Sequence, residues 1–335
     1  MTTESTTLPA DTQLTGVSRT ALLFLGAIGM GSVLGLADAD LGTAIAAPVD
    51  YTIIAMIFLL FFELRFGNFI AALGNIRFLA LAWTANFLVV PPIGFLIAYL
   101  LLQDQPLVFA GLLIYFLAPC TDWFLGFTRM ARGDTGLGAA LIPVNLITQL
   151  MLFPLWLWLF ARHSGAVDLA AVPGLLVQWF LFPLLAAQAL RYALQKLAPA
   201  NLFERLIAFA SLALPPPIAL LIFQIFAGNI GAIVANGAMF MPLLAAVFLF
   251  FVATFIASEG LSRAAQLDYP QHALLTTTMA ARNAPMMLAV TAVAVPDQPL
   301  ILLPLVIGML IEIPHLTALK QVLLQQRAKR QNAVS

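Results

Sequence analysis

Ten apolar segments, each long enough to cross a bilayer, follow one another along this 335-residue chain. A helix needs roughly 20 apolar residues to span the hydrocarbon, with a range of about 17–25. The segments run at roughly 19–37, 48–63, 77–102, 106–130, 137–161, 170–195, 203–227, 237–262, 271–295 and 298–322. Hydrophobic residues make up 62% of the chain and charged ones only 9%, where a soluble domain carries about 25% charged residues. The expected fold class is an all-α polytopic membrane protein.

Two of these segments are interrupted, at Pro119-Cys120-Thr121-Asp122 and at Ala281-Arg282-Asn283-Ala284-Pro285. Lipid cannot satisfy a free backbone N–H or C=O, so a break at membrane depth survives only when buried in protein or lining a cavity. The breaks fall in the fourth and ninth segments, the fourth of each five-span half. Paired interruptions at corresponding places in two halves point to a transporter's substrate site.

Basic residues set the orientation. With the N-terminus in the cytoplasm, thirteen of the 15 Lys and Arg fall on the inner side, from Arg19 and Arg65 to Lys329 and Arg330. Only Arg162 falls outside, and Arg282 lies within the membrane. That bias predicts cytoplasmic N- and C-termini by the positive-inside rule, in a bacterial-type inner (plasma) membrane. Five is odd, so two five-span halves have opposite orientation. The expected organisation is a disordered cytoplasmic tail over 1–16, one five-helix repeat over 17–165, an inverted one over 166–326, and a second cytoplasmic tail over 327–335. Helices 4 and 9 are then broken and cross near the midplane.

Three ionisable side chains fall at membrane depth: Asp122, Arg282 and Glu312. Facing lipid, each would cost roughly 2.5–3.5 kcal/mol on insertion scales, so they should face the interior and find partners. Asp122 and Arg282 occupy the two breaks and can form a structural ion pair. Alternatively, Arg282 stands where a carrier of this architecture would bind a cation, a permanent charge replacing a transported one. Glu312, in Ile311-Glu312-Ile313-Pro314, has no Lys or Arg within a turn on its own helix. Low dielectric disfavours the charged form of a carboxyl, which suits a proton-coupling residue. A protonated glutamate bonding two helices is the plainer reading.

Cys120 is the chain's single cysteine. Intrachain disulfides and multi-thiolate cofactor sites are excluded. A buried cysteine is most often a small hydrophobe. In a broken helix beside Thr121 and Asp122, its soft sulfur suggests a thiophilic substrate. Asn145 and Asn283 join these as candidate substrate ligands. Asn86, Gln149 and Thr278 are candidate cavity-lining residues, although such side chains more often bond helices together. His163, His272 and His315 show no metal-ligand spacing, so no metal site and no cofactor are expected. No nucleophile–base pair, soluble catalytic domain or nucleic-acid partner is expected either. The anticipated partners are a small inorganic or organic solute, protons and the lipid bilayer.

The stretch from Ala118-Pro-Cys-Thr-Asp-Trp through Arg132-Gly-Asp134 to Asn145, and the run Gly308-Met-Leu-Ile-Glu-Ile-Pro314, resemble the Acr-type arsenite efflux permeases. These permeases share a superfamily with the bile acid:sodium symporters. The resemblance covers most of the membrane region, from about 20 to 322. It implies ten helices in two inverted repeats, split into a core and a panel domain. It also implies arsenite/proton exchange, with Cys120 as the required cysteine and Glu312 as the required glutamate. This chain departs from the family at the second break. Thr276 to Met287 contains no acid and carries Arg282 instead, which argues against a sodium site and marks a divergent member. The leading expectation is a secondary carrier extruding arsenite or antimonite against protons. The alternative is an organic anion carrier with Arg282 as the anion clamp.

Overall fold

The computed structural model describes residues 10–63, 75–121, 123–156, 177–295 and 298–332, together with Leu159 and Gly174. Asp122 and His163 therefore lie outside the described residues. The regular structure among those residues is helical, with no β-strand beyond one isolated bridge.

Helices α1 (Ala10–Ala37), α2 (Ala39–Ala46) and α3 (Val49–Glu63) open the chain. Residues 10–16, expected in the disordered tail, are helical and extend the first span. Once a span has paid the cost of nucleation, each further residue adds a hydrogen bond. The second span is longer than expected, because α2 and α3 form one apolar segment from Ala39 to Glu63, interrupted at Pro48. Asp38 caps its start by accepting from the Asp40 and Leu41 N–H groups, each at 3.0 Å.

Next come α4 (Ile76–Thr84), a π-helical turn (Ala85–Val89) and α5 (Val90–Leu102), which together make the third span. The fourth is split into α6 (Pro106–Leu117) and α7 (Trp123–Met130), and α8 (Thr135–Trp156) supplies the fifth. The sixth is described from Val177 as a π-helical turn running into α9 (Phe182–Leu197). Helices α10 (Ala200–Ala213) and α11 (Pro215–Ala235) form the seventh, and α12 (Phe240–Ala264) the eighth. The ninth is split into α13 (Tyr269–Ala280) and α14 (Ala284–Ala294). The last, α15 (Pro299–Asn332), continues into the expected C-terminal tail.

Seven of these segments are long and apolar enough to cross a membrane, and α6 and α14 are shorter apolar helices. The chain is a polytopic membrane protein. Its side chains fit that solvent: Leu100, Met151, Phe182, Met241 and Phe248 are all exposed, as lipid-facing residues should be.

The helices pack in two groups. In one, α1, α2 and α3 pack against α9, α10 and α11. In the other, α6 packs against α5 and α15, α12 against α5 and α13, α14 against α15, and α7 against α8 and α13. Arg191 of α9 ties the first group together by donating to the Phe62 and Glu63 carbonyls at 2.7 and 3.1 Å, a side-chain cap on carbonyls left open at a helix end. Both interrupted segments belong to the second group. At Gly111 of α6 an added Cβ would collide with the Ile301 carbonyl of α15. Small residues let membrane helices approach this closely, and the approach brings the first break beside the last helix.

Candidate functional site

The two breaks meet. Pro119 has no N–H and disfavours helical backbone in the residue before it, so Ala118 ends α6 extended, at φ −103° and ψ 100°. Ala281 leaves α13 in the same way, at φ −76° and ψ 136°, and Pro285 starts α14 in its first turn. The two extended pieces form an antiparallel bridge, Pro119 opposite Arg282. The Cys120 N–H donates to Ala281 O at 3.1 Å, and the Asn283 N–H donates to Ala118 O at 2.8 Å. Each break thus satisfies backbone groups of the other that lipid could not. The expected crossing of the broken helices is present.

The site is closed to the surface in this structure: Cys120 is 0% exposed, Arg282 and Asn283 1%, Glu312 4% and Thr121 5%. Asn283 Nδ2 donates to Thr121 Oγ1 at 3.0 Å, which adds a side-chain link to the bridge. Asn283 sits at the N-cap of α14, yet its side chain makes no capping bond. Its Oδ1 is buried without a partner.

Arg282 is held by acceptors rather than by acids. Its guanidinium donates to Phe116 O at 2.9 Å, Thr278 O at 2.8 Å, Met279 O at 2.7 Å and Asn86 Oδ1 at 3.3 Å. Asn86, in the π-helical turn, is oriented in turn by donating from Nδ2 to Thr278 Oγ1 at 3.1 Å. The Phe250 ring lies 5.7 Å from the guanidinium carbon and stacks on Phe116. The ion pair considered from the sequence, Asp122 with Arg282, involves a residue outside the described set. Every nitrogen of Arg282 except Nε is already engaged elsewhere.

Glu312 is drawn into the crossing by the fold. Its Oε1 accepts from the Arg282 backbone N–H at 3.2 Å, and its Oε2 accepts from the Tyr115 hydroxyl at 3.0 Å. No Lys or Arg lies within a turn of Glu312 on its own helix, but tertiary packing supplies these donors. Tyr115 was missed from the sequence. A tyrosine alone in a 12-residue apolar helix is a usable signal, because a buried phenol normally finds a hydrogen-bond partner. Gly308 makes the contact sterically feasible, since an added Cβ there would lie 2.5 Å from the Tyr115 ring.

On the other side of Asn283, two amides converge on one sulfur. Gln149 Nε2 lies 3.3 Å from Met286 Sδ, and Asn283 Nδ2 lies 3.6 Å from it. Met286 carried no sequence signal. Gln149 Oε1 and both polar atoms of Asn145, one turn earlier on α8, are buried without partners. Such atoms cost roughly 1–3 kcal/mol each when nothing bonds them. The structure thus gathers Cys120, Thr121, Arg282, Asn283, Asn86, Thr278 and Glu312 around one crossing, with Gln149 reaching it through Met286 and Asn145 one turn before Gln149 on the same helix. His272 bonds Ser262 and Gln326 near the helix ends, and His315, one turn beyond Glu312, stacks on Phe251.

Paired broken helices that meet inside an apolar bundle are the arrangement that forms binding sites in secondary transporters. The chain belongs to the Sodium Bile acid symporter family, whose pattern matches residues 51–236 and so includes the first break but not the second. It is also similar to the arsenical-resistance protein Acr3 of Corynebacterium glutamicum. The two are 27% identical over 321 residues, covering 90% of this chain and 84% of that protein. Both comparisons point to a permease rather than an enzyme.

Proposed function

We propose that this carrier extrudes arsenite, or antimonite, in exchange for protons. The observation that carries the reading is the position of Cys120: the chain's single thiol is built into the backbone bridge between the two broken helices. A soft sulfur suits a soft, thiophilic cargo, and one sulfur alone can release what it binds. At neutral pH arsenite is an uncharged trihydroxide, rich in O–H donors. Asn145, Gln149 and Asn283 offer buried oxygens without donors near the same crossing. The similarity to a protein named for arsenical resistance supports the same cargo.

Glu312 is the proton carrier in this reading. As a carboxylate it accepts from Tyr115 and from the backbone of Arg282. Taking up a proton removes acceptor capacity and loosens one of those two links, so the proton and the crossing are coupled. The ten spans form two inverted repeats, 17–165 and 166–326, with both termini cytoplasmic and the protein in the inner membrane. The packing supports this symmetry, since spans 1, 2, 6 and 7 form one group and spans 3–5 and 8–10 the other. Cargo binding then biases the rocking of one group against the other.

The rival reading makes Arg282 a clamp for an organic anion. It has less support, because three of the four acceptors around that guanidinium are backbone carbonyls and the fourth is an amide oxygen. The test is uptake of As(III) by inverted vesicles under an imposed pH gradient. Uptake should require the gradient and vanish in Cys120→Ser; uptake that persists in that variant removes the cysteine from the mechanism.

A further inference from the structure

The partners of Arg282 have a second meaning. Phe116 O belongs to the last turn of α6, and Thr278 O and Met279 O to the last turn of α13. These are the C-terminal ends of the two half-helices that stop at the breaks. The last carbonyls of a helix have no intrahelical donor, and each helix C-terminus carries the equivalent of roughly half a negative charge. Here two such ends converge, nine-tenths or more buried, where no water can supply donors. The result is a cage of neutral oxygens: three carbonyls, plus Asn86 Oδ1, which is fixed from behind by Thr278. The Phe250 ring adds its face at 5.7 Å, an arrangement that also favours a cation. Among the described residues, no carboxylate hydrogen-bonds the guanidinium; Glu312 is bonded to the backbone N–H of Arg282.

We propose that the Arg282 guanidinium is a tethered cation, permanently filling a cation site made by the C-terminal ends of the two broken half-helices. Cages of carbonyl and amide oxygens at converging helix C-termini are the kind of site that binds a small monovalent cation in carriers with broken helices. In this chain the cation is covalently attached. It is present in every state of the cycle, and no dissolved ion has to arrive before the crossing can close. This assignment goes beyond the arsenite reading and holds whatever the cargo is.

A structural staple and a tethered cation differ in one respect: only the second leaves a selective cation site when it is removed. The test is the melting of purified full-length Arg282→Ala and Arg282→Gln in detergent. The titrants are guanidinium, sodium and potassium at low millimolar concentration, with choline holding ionic strength constant. Both variants should melt below the parent protein. They should regain about 5 °C, saturably, with guanidinium or one of the small cations and not with choline, as expected for a ligand that binds only the folded state. The parent protein and Arg282→Lys, which keeps the charge, should show no such recovery. If both neutral variants are folded by size-exclusion chromatography yet indifferent to every cation, the proposal is overturned. It is equally overturned if choline restores them as well as the small cations do. Because melting needs no cargo, failure of the arsenite assay and failure of this one can be told apart.

Discussion

The Tyr115 hydroxyl donates to Glu312 Oε2 at 3.0 Å and so joins the first broken helix to the last helix of the chain. The bond spans 197 residues of sequence. The other oxygen of the same carboxylate holds the backbone of the second break. One side chain therefore connects three elements that must move together if the crossing rearranges.

Tyr115→Phe removes that donor while keeping the ring that fills the space over Gly308. A hydrogen bond to a charged group contributes about 1.5–3 kcal/mol, and the variant should lose stability of that order in a reversible unfolding assay. Gly308→Ala should cause a comparable loss with Tyr115 intact, since its Cβ would displace the ring. Full stability in Gly308→Ala would show that the approach of α6 to α15 is not needed for the bond.

Glu312→Gln keeps the shape of the side chain and removes the exchangeable proton. Under the proposed mechanism, pH-gradient-driven As(III) uptake in inverted vesicles should fall to the level seen without a gradient. The melting temperature should fall by an amount comparable to Tyr115→Phe, because the amide keeps one acceptor oxygen for two donors. Undiminished gradient-driven uptake would move the proton role to another residue.

Asn86→Leu should be among the most destabilising single changes at the site. It leaves Thr278 Oγ1 without its amide donor and takes one acceptor from the Arg282 guanidinium. Each buried polar group left without a partner costs roughly 1–3 kcal/mol. Asn86→Asp restores the acceptor but not the donor and should recover part of the loss. Equal melting of the two variants would argue that the amide does not orient the cage.

Tyr269, at the start of α13 and outside the membrane span, donates its hydroxyl to Ala131 O at 2.7 Å and Leu323 O at 3.0 Å. Burial pushes its phenol above the usual value near 10, opposed by the nearby charges of Arg327 and Arg330. A folded-state value above the unfolded one means the neutral form stabilises the fold. That contribution is complete below about pH 10 and is lost as pH rises through the folded-state value. Alkaline unfolding should therefore include an absorbance change from the Tyr269 tyrosinate, and Tyr269→Phe should lack that component. An unchanged alkaline profile in Tyr269→Phe would place the transition elsewhere.

Both breaks were legible in the sequence. Pro119 and Pro285 are strong backbone signals, and polar residues inside apolar runs stand out against lipid as they would not against water. Glu312 and Cys120 stood out for the same reason. Tyr115 was readable but overlooked. The sulfur of Met286 had no signal, because a methionine in an apolar helix looks like any other lipid- or core-facing residue. The partners of Arg282 were not readable at all: three of the four are backbone carbonyls, which every residue possesses.

The sequence by itself determined that this chain lives in a membrane, roughly where it crosses, and where two of its helices must stop. Those features follow from local chemistry: the length of apolar runs, the missing N–H of proline, and the cost of a charge in hydrocarbon. Only the tertiary structure decided that the two stops pair with each other across 160 or so residues, and that Arg282 meets carbonyls while its backbone N–H meets Glu312. Those outcomes depend on which backbone groups are left open once every helix has formed and packed. A carbonyl's need for a donor is the same at every position until the fold determines which ones water and helix cannot reach.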